Sequence, residues 1–598
     1  MSKKILAVVL SLILAFSVVA VPVGAADIEF TTAATSVENV FNVVLDKIIS
    51  FVLKYLNMYW PGYEGSWDTA EDYETPEIFF EGDKDFDKSV TAESQWKLGY
   101  ASASLLDGID PMNGEFYLAG SLEPIKGRVP SKVLDDQRVR VYAISDSTGG
   151  IVVQAVVDGF GLSRGDVMTI RERLVDFAEE RNIVAINVSV LHQHSLIDTL
   201  GMNVPLAQAL IFNTGNAASG GLIEGIKVEK NQKFMENLFN KTVFAIKKAV
   251  VNMKEGDLYY GSVDIGDYMR DKRDPQAMDT NLHRLRFAPS DGSAETWILE
   301  AGVHLMSFGA GGDILSGDFP YYIEKTLREE KGVNMVYVQG AELAISMRGV
   351  ALCKECDKEA DIPVITRPET KDGIYSITCP KCGATTEPSD EEGSEYTTED
   401  AKDYAKTVDA WNRVHDKDKP GEKGVDEYGY TIAQKVISIG SNEKALDPVL
   451  NIAMKEVSLK VTNEILTLAA REDVLNAIIV KDGAGYKLIT EIGYMELGNE
   501  VAVFLCPGEF DPMLVYGGPE SGDAAWTGGK WTKEPLKEAT SCDTVLVFGL
   551  CNDQAGYVLR DNEYHSLLSE NEEVNVISTT AGSTFVNAFE SLLKEIGA

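Results

Sequence analysis

The sequence predicts an α/β fold, a mixed sheet core with flanking helices. Three observations carry that reading. From about Trp96 onward, apolar or alternating runs of strand length are interleaved with segments whose apolar residues recur at helical spacing. Several of the strand-like runs end on a residue able to bind a metal or move a proton, and strand ends are where α/β folds place chemistry. A chain of 598 residues with 44% hydrophobic content supplies a large core, and such a length fits about two to four domains.

The first residues read as an export signal. Lys3 and Lys4 are its charged start, Ile5 to Val21 its apolar segment, and Gly24-Ala25-Ala26 its cleavage site. Residues 1–26 are therefore expected to be removed and the mature protein to be secreted. No cysteine directly follows the cleavage site, and no other stretch reaches the ~18 apolar residues of a membrane span. Residues 27–94 form the next unit. Val37, Val40, Val44, Ile48, Phe51, Val52 and Tyr55 predict an amphipathic helix over 36–60, stopped by Pro61-Gly62. That helix either docks on the protein's own core or makes peripheral contact with a membrane. Its polar face is not rich in Lys or Arg, which favours docking. The acidic, turn-rich stretch 63–94 reads as a linker or a wrapping arm.

The α/β region follows. Val139 to Ile144 and Ile151 to Asp158 predict a hairpin joined by Ser145 to Gly150. Ser163 with Asp166 forms a capping box that opens a helix carrying Val167, Ile170, Leu174 and Phe177. Strand Ile183 to Val190 runs into Leu191-His192-Gln193-His194. Gly215 to Gly221 lacks the Lys-Ser/Thr of a phosphate-binding loop and reads as a plain loop. A helix covers Asn231 to Met253, strand Thr296 to Val303 ends at His304, and strand Met335 to Val338 runs into Gln339-Gly340. Strand Glu500 to Leu505 ends at Pro507-Gly508-Glu509, and strand Thr544 to Leu550 at Asn552-Asp553, with Tyr557 close behind.

His192 and His194 are the sharpest signal, because the chain has only six histidines. Residues two apart on an extended strand share a face, so both imidazoles can converge on one point, and imidazole is the commonest neutral metal ligand. His304, Glu509 and Tyr557 are further candidates. Each of these residues alone is more often a packing or hydrogen-bonding residue than a ligand.

Five segments in order resemble the neutral/alkaline non-lysosomal ceramidases and their bacterial relatives. They are Leu134-Asp135-Asp136-Gln137-Arg138-Val139-Arg140; Leu191-His192-Gln193-His194-Ser195 with Asp198-Thr199-Leu200-Gly201; Gly302-Val303-His304 with Ser316-Gly317-Asp318-Phe319-Pro320; Pro507-Gly508-Glu509; and Asn552-Asp553-Gln554-Ala555-Gly556-Tyr557. The resemblance implies a ceramidase-like catalytic core over residues 95–349 and 425–598. It implies one catalytic zinc held by His192, His304, Glu509 and Tyr557, with His194 as general base or carbonyl-orienting group. Zinc accepts such ligands, activates water and polarises a carbonyl. The family's Gly-Asp-x-Ser-Pro segment falls on Leu343-Ala344-Ile345-Ser346-Met347, so its catalytic serine corresponds to Ser346 while the Gly, Asp and Pro are replaced. The implied activity is zinc-dependent hydrolysis of the amide of an N-acyl-sphingoid base or related lipid amide. A different amide or ester, or a non-catalytic zinc-containing surface protein on the same fold, are the alternatives that those replacements leave open.

Residues 350–424 read as an insertion. Cys353-x-x-Cys356 and Cys379-x-x-Cys382 have the spacing of a zinc ribbon with one structural zinc, and Cys379-Pro380-Lys381-Cys382-Gly383 with Asp409-Ala410-Trp411-Asn412-Arg413 resembles small restriction-alleviation (Lar-type) ribbons. Two disulfides are the alternative in an oxidising compartment. Cys506 and Cys551 lie in apolar runs and are expected to be buried thiols. A formal net charge of −38 argues against nucleic acid as a partner. Nothing in the sequence fixes the oligomeric state.

Overall fold

The computed structural model describes residues 68–83, 85–120, 128–201, 232–273, 276–308, 312–347, 422–463, 476–483, 485–519, 530–563 and 576–597, with Leu466 and short pieces between 351 and 407. The export signal, the helix expected over 36–60 and the loop Gly215 to Gly221 lie outside the described residues.

In chain order, the first half builds β1 (Lys97–Ser104), β2 (Arg138–Ser145), β3 (Ile151–Val157), α1 (Arg164–Glu172), α2 (Val175–Arg181), β4 (Ile183–Val190), α3 (Gln232–Val251), β5 (Lys254–Asp264), β6 (Met269–Asp271), β7 (Asn281–Pro289), β8 (Thr296–Ala301), α4 (Asp318–Lys331), β9 (Asn334–Gln339) and β10 (Ile345–Met347). The predicted hairpin is β2 and β3, with Val139 opposite Val157. The predicted capping box is present, and Ser163 N–H donates to Asp166 Oδ2 at 3.0 Å. The single helix expected from Ser163 to Phe177 is instead two. The chain breaks at Arg173 and Leu174, and the break seats the fully buried Leu174 in the core.

These strands form one sheet in the order β9-β8-β7-β5-β1-β2-β3-β4. The outer pairs β8/β9 and β3/β4 are parallel, and the others are antiparallel. The second half adds α5 (Glu422–Ser438), β11 (Lys444–Leu446), β12 (Leu450–Lys460), β13 (Ile479–Asp482), β14 (Gly485–Leu497), β15 (Val501–Leu505), β16 (Glu509–Phe510), β17 (Thr544–Phe548), β18 (Tyr557–Val558) and α6 (Ala581–Ile596). Strand β11 pairs with β5 of the first sheet, while β12-β14-β15-β17 make a second sheet with β13 on β14.

Alternation along the strands shows how the layers stack. Tyr142, Ile144, Val152 and Val156 of the first sheet share one core with Ile452, Met454, Val501 and Val503 of the second. Val141, Val153 and Val157 face the other way, onto Leu238, Ala245 and Ile246 of α3. Ala453, Ala502 and Phe504 face Phe585 and Phe589 of α6. Period-two alternation with both faces buried thus gives an α/β/β/α sandwich, the mixed sheet core with flanking helices that the sequence predicts.

The acidic stretch is a wrapping arm. Phe86 stacks on Tyr494 at 5.9 Å, and Gly82 bridges Ala453. A Cβ at Gly82 would stand 2.2 Å from Ile452 O, and its φ is +74°, so only glycine fits. Among the described residues no helix is long and apolar enough to cross a membrane. The side chain of Cys353 and all of Cys356, Cys379 and Cys382 lie outside the described residues. Cys506, Cys542 and Cys551 are buried free thiols.

Asp135, ahead of β2, ties that strand to the start of α4. It accepts from Ser316 Oγ at 2.7 Å and from Gly317 N–H. Burial pushes its carboxyl up to about 7, against about 3.9 in an unfolded chain. The folded state therefore holds this proton more tightly. The resulting stability is full below the unfolded value and is lost as pH rises through about 7. Asp135→Asn is expected to flatten the decline in stability between about pH 4 and pH 7, measured by urea unfolding across that range. An unchanged slope would show that Asp135 titrates normally.

Candidate metal centre

Four segments converge at the carboxyl ends of β4, β8, β15 and β17. His192 stands two residues past the end of β4, with φ at +57°. The pair His192 and His194 therefore does not converge by strand alternation. The chain turns at His192 into the sparsely populated left-handed region, and the turn brings the rings 4.8 Å apart and perpendicular at 88°. Phe160 stacks on His192 at 4.5 Å. His304 follows β8, bridges Ser346, and donates its N–H to Ile345 O at 2.9 Å. Gln193 bridges Leu305, so the segments that follow β4 and β8 meet here. Glu509 and Tyr557 open β16 and β18 and are register partners in a parallel pair, which puts their side chains on one face.

Hydrogen bonds settle the tautomers. A carbonyl only accepts, so His192 Nδ1 donates to Phe160 O at 2.8 Å and His194 Nδ1 to Gly120 O at 2.9 Å. His304 Nδ1 faces Glu342 O and Glu342 Oε2, each at 3.3 Å. The Nε2 lone pairs of His192 and His304 then both point at Glu509 Oε2, at 3.3 Å each. Lone pairs facing a carboxylate oxygen in a buried site repel unless a proton or a metal cation lies among them. Ligands at ~2.0–2.1 Å from a tetrahedral ion stand about 3.3 Å from one another. The donor set and its spacing thus fit a zinc ion. Two overlapping groups have ligand atoms within 4.8 Å of one another: His192, His194 and His304; and His192, Glu342 and Glu509.

No protein-family model matches the chain, and no curated protein matches it either. Solved structures do. The neutral ceramidase from Pseudomonas aeruginosa superposes with a TM-score of 0.54 at 14% identity, over 84% of this chain and 74% of that one. A ceramidase complexed with C2 gives 0.51 at 13% identity, over 84% and 75%. The fold is ceramidase-like.

In this ceramidase-like frame His192, His194, His304 and Glu509 come together, and Tyr557 lies beside Glu509 by register. Ser346 occupies the rung next to His304, and its Oγ lies 3.5 Å from Arg270 O. His194 Nε2 is buried and has no hydrogen-bond partner among the described residues. Burial, and then the neighbouring His192 and His304, hold its imidazole well below the ordinary value, so it is neutral.

Two residues escaped the sequence reading. Glu342 is fully buried, and desolvation followed by the charge of Glu509 pushes its carboxyl well above the ordinary range. Its place two residues beyond the Gln339-Gly340 strand end was the available signal. Asn552, at φ +67°, locks the Tyr557 segment onto β4. Its Oδ1 accepts from Val188 N–H at 2.8 Å, its N–H donates to Val188 O at 2.8 Å, and its Nδ2 donates to Asn187 Oδ1 at 3.0 Å. Groups that orient metal ligands typically matter by about 10–100-fold in affinity. Asn552→Ala is expected to weaken zinc binding within that range, measured by competition with a chelating dye. Undiminished affinity would show that the clamp does not set the ligand geometry.

Proposed function

We propose that this chain is an exported, zinc-dependent amidohydrolase that cleaves an N-acyl-sphingoid base or a related lipid amide. The observation that carries the reading is the meeting of two imidazole lone pairs with Glu509 Oε2, at 3.3 Å each, inside a ceramidase-like fold. His192, His304, Glu509 and Tyr557 would hold the ion. Zinc in such a site polarises a carbonyl and makes water a nucleophile near neutral pH. The chain supplies the rest. Glu342 fixes the His304 ring from behind through its backbone and side-chain oxygens. Gln554 Nε2 donates to Glu509 Oε1 at 3.1 Å and orients that carboxylate. His194, anchored through Nδ1 to Gly120 O, offers Nε2 to orient the attacking water and take its proton. Phe160 gives the acyl chain an apolar surface beside His192.

A second reading has one observation in its favour. Ala344 holds φ at +65°, a strained conformation for alanine, where the resembled family carries the Asp of its Gly-Asp-x-Ser-Pro segment. A non-catalytic surface protein that keeps zinc for stability would tolerate this change in the serine segment. For the insertion, we propose a second, structural zinc on Cys353, Cys356, Cys379 and Cys382 in place of two disulfides.

Fatty-acid release from a labelled short-chain ceramide by the zinc-loaded mature protein should be measurable and should fall to background in His304→Ala. Loss of bound catalytic zinc in that variant, read by metal analysis, should accompany it. A folded, zinc-bearing protein that releases nothing from ceramides, other amides or esters would leave the non-catalytic reading standing.

A further inference from the structure

The ladder that carries His304 continues outward. His304 bridges Ser346 in the parallel sense, and Ser346 is the antiparallel register partner of Arg270 on β6. Register partners leave a sheet on the same face. The alternate residues identify that face, because Val303, Leu305, Ile345 and Met269 all sit in the core between the sheets. His304, Ser346 and Arg270 therefore project to the opposite side, toward the metal centre. Rungs lie ~4.8 Å apart, which sets the Arg270 backbone about 10 Å from that of His304. A group bound near the metal is thus within reach of an extended arginine side chain.

Lys272 lies two residues further along the same strand direction, and its N–H donates to Ala344 O at 3.1 Å. Its side chain is exposed. The intervening Asp271 turns the other way and accepts from Arg273 N–H at 2.9 Å and Ala277 N–H at 2.8 Å. Arg270 on β6 and Lys272 just past its end thus set two cations two residues apart, in a chain with a net charge of −38. Beside His192 the centre carries an apolar ring, Phe160, stacked at 4.5 Å.

We propose that Arg270 and Lys272 form an anion-recognition subsite, and that the substrate is a lipid amide whose amine half carries a carboxylate beside the scissile bond, an N-acyl amino acid. A guanidinium matches a carboxylate in a two-bond geometry, and an ammonium adds a point charge. The acyl chain lies toward Phe160 and the carboxylate toward Arg270. Hydrolysis consumes one water, breaks the C–N bond, places the hydroxyl on the acyl carbon and the proton on the nitrogen, and releases a fatty acid and an amino acid. The chemistry rests on the hydrolase reading, whereas the recognition does not.

Calorimetry on the zinc-loaded protein separates the two. N-dodecanoylserine is compared with N-dodecanoylserinol, in which a neutral CH2OH replaces the carboxylate. A charge-assisted contact predicts roughly 10–100-fold tighter binding of the serine compound. The ratio should fall toward one in Arg270→Gln and drop in Lys272→Gln, an exposed position where folding is not at stake. Equal affinity for the two compounds in the wild type would overturn the subsite. Tighter binding of ceramide 1-phosphate than of N-dodecanoylserine would overturn its assignment to a carboxylate. Carboxylate-selective binding without fatty-acid release would overturn the hydrolase reading and leave the subsite intact.

Discussion

Two imidazole nitrogens and a carboxylate oxygen face one another at 3.3 Å in a buried cluster, an arrangement that fits a cation. The surroundings are built to hold it. Each ring is fixed from behind, His192 by Phe160 O, His304 by Glu342 and His194 by Gly120 O. A ring whose Nδ1–H is committed to a carbonyl has only Nε2 to offer, so tautomer and direction are set together. Glu342 adds a second buried carboxyl within the same cluster, and its proton affinity is raised by burial and by Glu509.

Holding these groups in register requires two sheets to agree. His192 follows the edge strand β4 and His304 follows β8, next to the far edge strand β9, and the Gln193–Leu305 bridge joins the two segments. Glu509 and Tyr557 follow β15 and β17 of the second sheet and pair with each other in the separate ladder of β16 and β18. Asn552 and the Ser189–Cys551 bridge fasten that second pair to β4. Buried ion pairs brace the same joint. Arg171 engages Glu491 of β14 through both terminal nitrogens, at 3.0 and 2.6 Å, and Arg164 Nε stands 3.4 Å from Glu491 Oε2. Buried pairs are costly to break from one side, which makes them good at fixing relative position.

Backbone strain collects at the same place. His192, Ala344, Leu550 and Asn552 all hold left-handed φ without being glycine. Such conformations persist where surrounding contacts over-determine them, and here each one ends or redirects a strand beside the centre.

The sequence by itself determined the elements and the candidate donors. Strand β4 falls on Ile183–Val190 as the apolar run predicts, and His192, His304, Glu509 and Tyr557 each follow a strand that local pattern reveals. Period-two and helical periodicity are local properties, so they are legible in one dimension. What the tertiary structure decided is how those ends meet. The turn at His192, the second sheet, the carboxyl of Glu342 behind His304, the clamp of Asn552 and the ladder from His304 to Arg270 all depend on contacts between residues far apart in the chain. Backbone hydrogen bonding and burial select those contacts only when the whole sandwich closes, and no local pattern encodes them.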